Sequence, residues 1–121
     1  MENLGENETA TPLSSLINRE LSGVLFVRDN IQLQFDGVAI TYLLFPSIKA
    51  DGVIFNPDHE MYRNKLVEQI GKTVAHFLAK TESLIINFSD GSSISLSFNY
   101  EDIELPEVIV VQDEKRGTQV F

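Results

Sequence analysis

Residues 30–45 read N-I-Q-L-Q-F-D-G-V-A-I-T-Y-L-L-F, and residues 83–98 read S-L-I-I-N-F-S-D-G-S-S-I-S-L-S-F. Each is an alternating run ending in Phe, an Asp-Gly pair, and a second alternating run. Alternation with period two is the mark of a strand with one buried face. Asp-Gly between two such runs marks a tight hairpin. A two-residue loop at Asp36-Gly37 sets Phe35 opposite Val38, Leu33 opposite Ile40 and Ile31 opposite Tyr42. Gln32, Gln34, Ala39 and Thr41 then share the other face. The second copy carries one extra residue, Ser89, and a one-residue slip turns every side chain over. A three-residue loop, Ser89-Asp90-Gly91 with Gly91 left-handed, absorbs it. Phe88 then faces Ser92, Ile86 faces Ile94 and Leu84 faces Leu96, while Asn87, Ser93, Ser95 and Ser97 line the outer face.

The likeness extends upstream. L-I-N-R-E-L-S-G-V (16–24) matches L-V-E-Q-I-G-K-T-V (66–74) as a helix end, a Gly and a strand start. An internal repeat constrains architecture before any other signal does. Thr11-Pro12 opens a first helix, with Leu13, Leu16, Ile17 and Leu21 on one face and Gly23 at its end. Asn56-Pro57 opens a second, with Asp58 and Glu60 at the positive end of its dipole. Tyr62, Leu66, Val67 and Ile70 form its stripe, and Gly71 stops it. Strands follow at 24–28 and 72–79, the first turning at Asp29-Asn30 into 31–35. Asp51-Gly52 closes a short ribbon of 48–50 with 53–55. V-I-V-V (108–111) after Pro106 reads as a last strand, and four consecutive β-branched residues need cover from the sheet or a second protomer. The expected fold is α+β: duplicated helix plus three-strand antiparallel units with an additional C-terminal strand. Residues 1–10 read as disordered, 11–112 as one domain with repeats at 11–45 and 57–99, and 113–121 as a tail.

With 121 residues and 43% hydrophobic content, a core needs no disulfide or metal. The absence of cysteine excludes thiol catalysis and thiolate metal sites. No basic, apolar leader opens the chain and no apolar run reaches bilayer length, so the expected location is the cytoplasm, with no membrane contact. The net charge is -9. Residues 1–12 contribute -3 and residues 100–121 contribute -4, leaving -2 on the body between. Clustered cations are missing, which disfavours nucleic acid and permits a basic protein partner.

Chemistry-bearing motifs are few. Neither a glycine-rich phosphate loop nor a G-x-S-x-G elbow is present. His59 in D-H-E stands at a helix start, where adjacent residues point apart. His76 in T-V-A-H-F-L-A shares strand parity with Val74 and Leu78, and its face is ambiguous. Asp36, Asp51 and Asp90 lack the alternating oxygen ligands of a calcium loop. No metal, cofactor or catalytic residue is expected. The acidic stretch 100–107 and the charges after it make the surface candidate: Glu101, Asp102, Glu104, Glu107, Asp113 and Glu114.

The I-x-L-x-F-D-G and L-I-I-N-F-S-D-G segments, the I-G-K-x-V between them and Pro106-Glu107 resemble a group of small uncharacterised bacterial proteins, some of them presumed toxin-immunity proteins. The resemblance covers residues 20–112 and implies an α+β domain and toxin neutralisation, without supplying a catalytic residue. The expected function is a non-catalytic protein-binding domain of immunity type, blocking a basic toxin through the acidic residues 101–114, with a homodimer as a further expectation. The alternative is a small-ligand or regulatory module with a pocket between the repeats at Tyr42, His76 and Phe77.

Overall fold

The two hairpins form in the registers that the alternation requires. The computed structural model describes residues 16–80, 83–97, 109–113 and 117–120. Its elements are β1 (Leu21–Val27), β2 (Asn30–Phe35), β3 (Val38–Tyr42), β4 (Ser47–Ala50), β5 (Val53–Phe55), α1 (Tyr62–Val67), β6 (Val74–Lys80), β7 (Ser83–Phe88), β8 (Ser93–Ser97), β9 (Ile109–Asp113) and β10 (Gly117–Val120). Phe35 pairs with Val38, Leu33 with Ile40 and Ile31 with Tyr42. Ile86 pairs with Ile94 and Leu84 with Leu96. Phe88 donates its amide to Ser92 O at 2.8 Å, and Gly91 takes a φ of 95°. The extra residue is absorbed in the loop, as the bulged turn demands. The ribbon at Asp51-Gly52 also forms, Ile48 against Phe55 and Ala50 against Val53. The β1–β2 turn sits one residue earlier than expected, since Val27 pairs with Asn30.

The α+β expectation is overturned. The described chain is mostly strand, with one six-residue helix. From Leu16 it makes a single tight turn, Arg19 N–H to Leu16 O at 2.8 Å, and enters a strand at Leu21 instead of continuing a helix to Gly23. Helical spacing of Leu16, Ile17 and Leu21 lost to long-range pairing: residues 18–21 bond to residues 71–74. The second helix starts five residues late, at Tyr62. Asn56 does not cap it, because its side-chain oxygen accepts the Ser47 hydroxyl at 2.7 Å. His59 Nδ1 accepts the Met61 amide at 3.0 Å, and residues 56–61 turn without helical propagation. Of its expected stripe Tyr62 and Leu66 are buried, Val67 and Ile70 are exposed, and Gln69 is buried instead. The helix ends at Val67 with Glu68 as its C-cap, earlier than the expected stop at Gly71, which instead turns the chain at φ 96°.

Two five-stranded antiparallel sheets result, in the orders β1-β2-β3-β9-β10 and β5-β4-β8-β7-β6. One apolar cluster joins them. Leu33, Phe35, Ile40 and Val111 from the first sheet meet Ile48, Ile86 and Ile94 from the second, with Tyr62 and Leu66 from α1. Burying each of these is worth roughly 1.5–3 kcal/mol. Ile109–Val111 of the V-I-V-V run lie in β9, paired on both sides by β3 and β10, while Val108 is outside the described residues. The expected tail contributes β10 over Gly117–Val120.

The duplication holds for the strands, with a topology the sequence did not suggest. β1 and β6 carry a bulge at the same place, between Leu21 and Gly23 and between Val74 and His76. Leu21 pairs with Phe35 as Val74 pairs with Phe88, so equivalent residues lie 53 apart up to the loop. This moves the upstream match by three residues: Leu16 corresponds to Gln69, not Leu66. The two halves meet at a bridge between the equivalents Glu20 and Thr73. Around it, Asn18 N–H donates to Val74 O and Gly71 N–H to Leu21 O, both at 2.8 Å. Leu21 N–H donates to Lys72 O and Val74 N–H to Arg19 O, both at 2.9 Å. Each bond is the other's image under a pseudo-twofold rotation. Asn18 and Gly71, both left-handed at φ 73° and 96°, occupy matching corners. Beyond the meanders the halves exchange hairpins. β4-β5 of the first half pairs with β8 of the second, and β9-β10 of the second pairs with β3 of the first.

Candidate functional site

The expected sites scatter. Glu101, Asp102, Glu104, Glu107 and Glu114 lie outside the described residues. Asp113 pairs through its backbone with Val38 and Gly117 at the end of β9. Tyr42 and Phe77 are buried in the core, whereas His76 is exposed. Those three do not converge, and the ambiguity over His76 has a physical answer. The bulge between Val74 and His76 breaks the parity of β6. Val74, Phe77 and Ala79 face the core; His76, Leu78 and Lys80 face out.

Burial explains the tyrosines. The Tyr42 hydroxyl is enclosed and has no hydrogen-bond partner among the described residues, so burial pushes its ionisation well above the usual range, and Tyr62 adds to this. Tyr62 donates to Pro46 O at 2.5 Å and is also pushed up by burial. Neither can act as a base near neutrality. His59 stacks edge-on against Phe55, ring centroids 4.9 Å apart, and its Nδ1 is occupied by Met61. No group of three His, Cys, Asp or Glu residues among those described is placed to hold a metal ion.

A polar cluster that sequence reasoning missed lies at the β7–β8 turn. The Ser92 hydroxyl stands 2.6 Å from Asp90 Oδ1 and 2.8 Å from Gln69 Oε1. Its single proton serves one of them at a time. Lys72 Nζ lies 2.7 Å from Asp90 Oδ2 and 3.3 Å from Ser92 Oγ. The Lys72 bond, then those from Ser92, hold the Asp90 carboxyl well below the usual carboxylate range. The Asp90 side chain is nonetheless 48% exposed, so solvent screens much of that interaction. Serine, lysine and carboxylate together suggest a nucleophile, but the chemistry does not follow. Ser92 is buried, Asp90 is too weak a base when held ionised, and Lys72 is committed to Asp90. The equivalent place in the first half performs the same tether: Arg19 donates to Asp36 O at the β2–β3 turn. The cluster fastens a hairpin to its neighbour.

Three outer surfaces remain. A shallow depression of about 410 Å³ on the first sheet is lined by Ser22, Gln34, Asp36, Ala39 and Gln112 among others. Gln34 donates to Gln32 at 3.0 Å and Gln32 to Thr41 at 3.2 Å, which makes a neutral amide ladder beside it. The outer face of the second sheet is richer in hydroxyls. At its edge, β5 pairs with β4 alone among the described strands. There Val53 is 50% exposed and Ile54 59% exposed.

Compared with known proteins, the chain matches no family model, no curated protein and no solved structure. No helix among the described residues is long and apolar enough to cross a membrane.

Proposed function

We propose that this chain is a non-catalytic protein-binding module, in its most concrete form an immunity-type protein that occludes a basic toxin. The observation that carries the reading is the open edge of β5. Natural sheets guard their edges with charge, proline or brevity. β5 has brevity, being three residues long, but V-I-F (53–55) still presents two exposed β-branched side chains on an edge with no strand partner among the described residues. The other half supplies the comparison. Its equivalent edge strand β10 reads Gly117-Thr118-Gln119 where β5 reads Val53-Ile54-Phe55, because Val111 pairs with Gln119 as Ile48 pairs with Phe55. The fold is therefore built with a polar edge at one end and an apolar edge at the other. An apolar edge suits strand addition by a partner, with main-chain bonds for affinity and side chains for choice. The charge of -9 favours a cationic partner and speeds its approach.

The test is binding and growth rescue against a panel of cationic toxin domains co-expressed with the full chain. A cognate domain should associate more slowly as salt rises. Ile54→Asp should abolish protection, and Leu25→Asp, at an exposed apolar position on β1, should not. Protection that survives Ile54→Asp, or an on-rate indifferent to salt, would overturn the reading.

A further inference from the structure

The outer faces of the two sheets are built on equivalent rows, and they differ in charge in one direction only. In the first sheet Gly23, Gln34, Ala39 and Gln112 stand side by side across β1, β2, β3 and β9. Their counterparts in the second are His76, Asn87, Ser93 and Lys49, across β6, β7, β8 and β4. At the far end of the meander Val27 corresponds to Lys80. Two neutral positions of one half are thus cationic positions of the other: Gln112 is replaced by Lys49 and Val27 by Lys80, while Gly23 gives way to the hydrogen-bonding ring of His76. Among the described residues, the strands of the second sheet turn no Asp or Glu outward, in a chain of net charge -9. The same backbone is made without these cations in the first sheet, so folding does not require them.

We infer that the outer face of the second sheet is a docking surface for an extended, acidic segment of a partner protein. Charge selects the sign of the partner, and spacing selects its shape. His76 and Lys49 are three strand steps apart, about 14 Å at the usual interstrand distance. Lys80 lies four residues along β6 from His76, about 13 Å. No single oxyanion spans such gaps. The two lysines, three strand steps across and four residues along, stand about 20 Å apart, and carboxylates six residues apart on an extended chain, also about 20 Å, reach both. His76, Asn87 and Ser93 fill the row beside Lys49 with hydrogen-bond donors and acceptors for a peptide backbone. Single-stranded nucleic acid is a poorer fit, since no Phe or Tyr among the described residues faces outward here to stack a base, and two separated lysines neutralise few phosphates.

The test uses the full chain and a fluorescent ten-residue peptide with two glutamates six residues apart, measured by anisotropy at low salt. A lysine-for-glutamate peptide and a ten-nucleotide thymidine strand form the other arms. The glutamate peptide should bind best. Lys49→Glu and Lys80→Glu should each weaken it by about three-fold or more, as expected for the loss and reversal of an exposed ion pair. Gln112→Glu, at the equivalent place on the first sheet, should leave affinity unchanged. Thermal midpoints of all variants certify that they fold. No binding of the glutamate peptide at millimolar concentration overturns the inference. So does a preference for either of the other probes, or indifference to Lys49→Glu and Lys80→Glu.

Discussion

Gln69 and Ser92 are buried and hydrogen-bonded to each other at 2.8 Å, and the molecule contains the same site without them. In the first half, Leu16 and Val38 occupy the equivalent positions and are equally buried. Replacing one polar partner should therefore cost far more than replacing both. Ser92→Val leaves Gln69 Oε1 enclosed without a donor, which costs about 1–3 kcal/mol. The added methyl groups return part of that, up to roughly 0.8 kcal/mol per carbon buried. The net loss expected is about 1–2 kcal/mol. Gln69→Leu alone should cost less, because Ser92 keeps Asp90 at 2.6 Å. The double variant copies the first half and should lie within about 1 kcal/mol of the parent, since an apolar pair of like shape replaces a hydrogen-bonded one. Urea unfolding reads this directly. With a slope of about 1–3 kcal/mol per molar, Ser92→Val should lower the midpoint by roughly 0.5–1 M, and adding Gln69→Leu should restore most of it. Additive single effects, with a coupling below about 0.5 kcal/mol, would show that the two sites are not equivalent environments.

The corners of the pseudo-twofold give a second expectation. Gly71→Ala places a Cβ at φ 96° with nothing within 4 Å, so backbone strain alone should cost about 1–2 kcal/mol in thermal unfolding. Asn18→Gly at φ 73° should be neutral or slightly stabilising; a neutral Gly71→Ala would refute the left-handed corner. For Asp90 the folded-state pKa is depressed, so its contribution is present above the unfolded value near pH 4 and is lost as pH falls through the folded value. Being half exposed, the pair contributes less than about 1 kcal/mol. The stability gap between parent and Asp90→Asn should therefore be small at pH 7 and close below pH 4, and a gap that widens in acid would contradict the assignment.

The hairpins were legible because three local signals agreed: alternation, Asp-Gly, and a loop long enough to absorb Ser89. What misled was equally physical. Leu16, Ile17 and Leu21 have helical spacing, yet the amides of Asn18 and Leu21 found partners more than fifty residues away. Asn56-Pro57 reads as a helix start, but Ser47 claimed the Asn56 side chain. His76 could not be placed on a face, because a bulge has no signature in apolar alternation. The acidic candidates at 101–107 and Glu114 fall outside the described residues, and the Tyr42, His76 and Phe77 group is divided between core and surface. The surfaces now favoured, β5 and the His76–Lys49 row, become visible only when each residue is set beside its equivalent in the other half.

That comparison works because of how the halves are joined. Each sheet takes three strands from one half and two from the other. Neither half can complete its sheet alone, so separating them exposes both the apolar cluster and the unpaired edges of β3 and β8. Unfolding should then be a single transition, with no stable half-molecule. The interior is held to a common pattern by this exchange: Phe35 and Phe88, Leu33 and Ile86, Ile40 and Ile94 differ by little. Differences collect where the shared framework imposes no demand, on the outer faces and at the free edges. An apolar Val53-Ile54 against Gly117-Thr118, and Lys49 and Lys80 against Gln112 and Val27, are departures that folding did not require, and both proposed binding surfaces are argued from them.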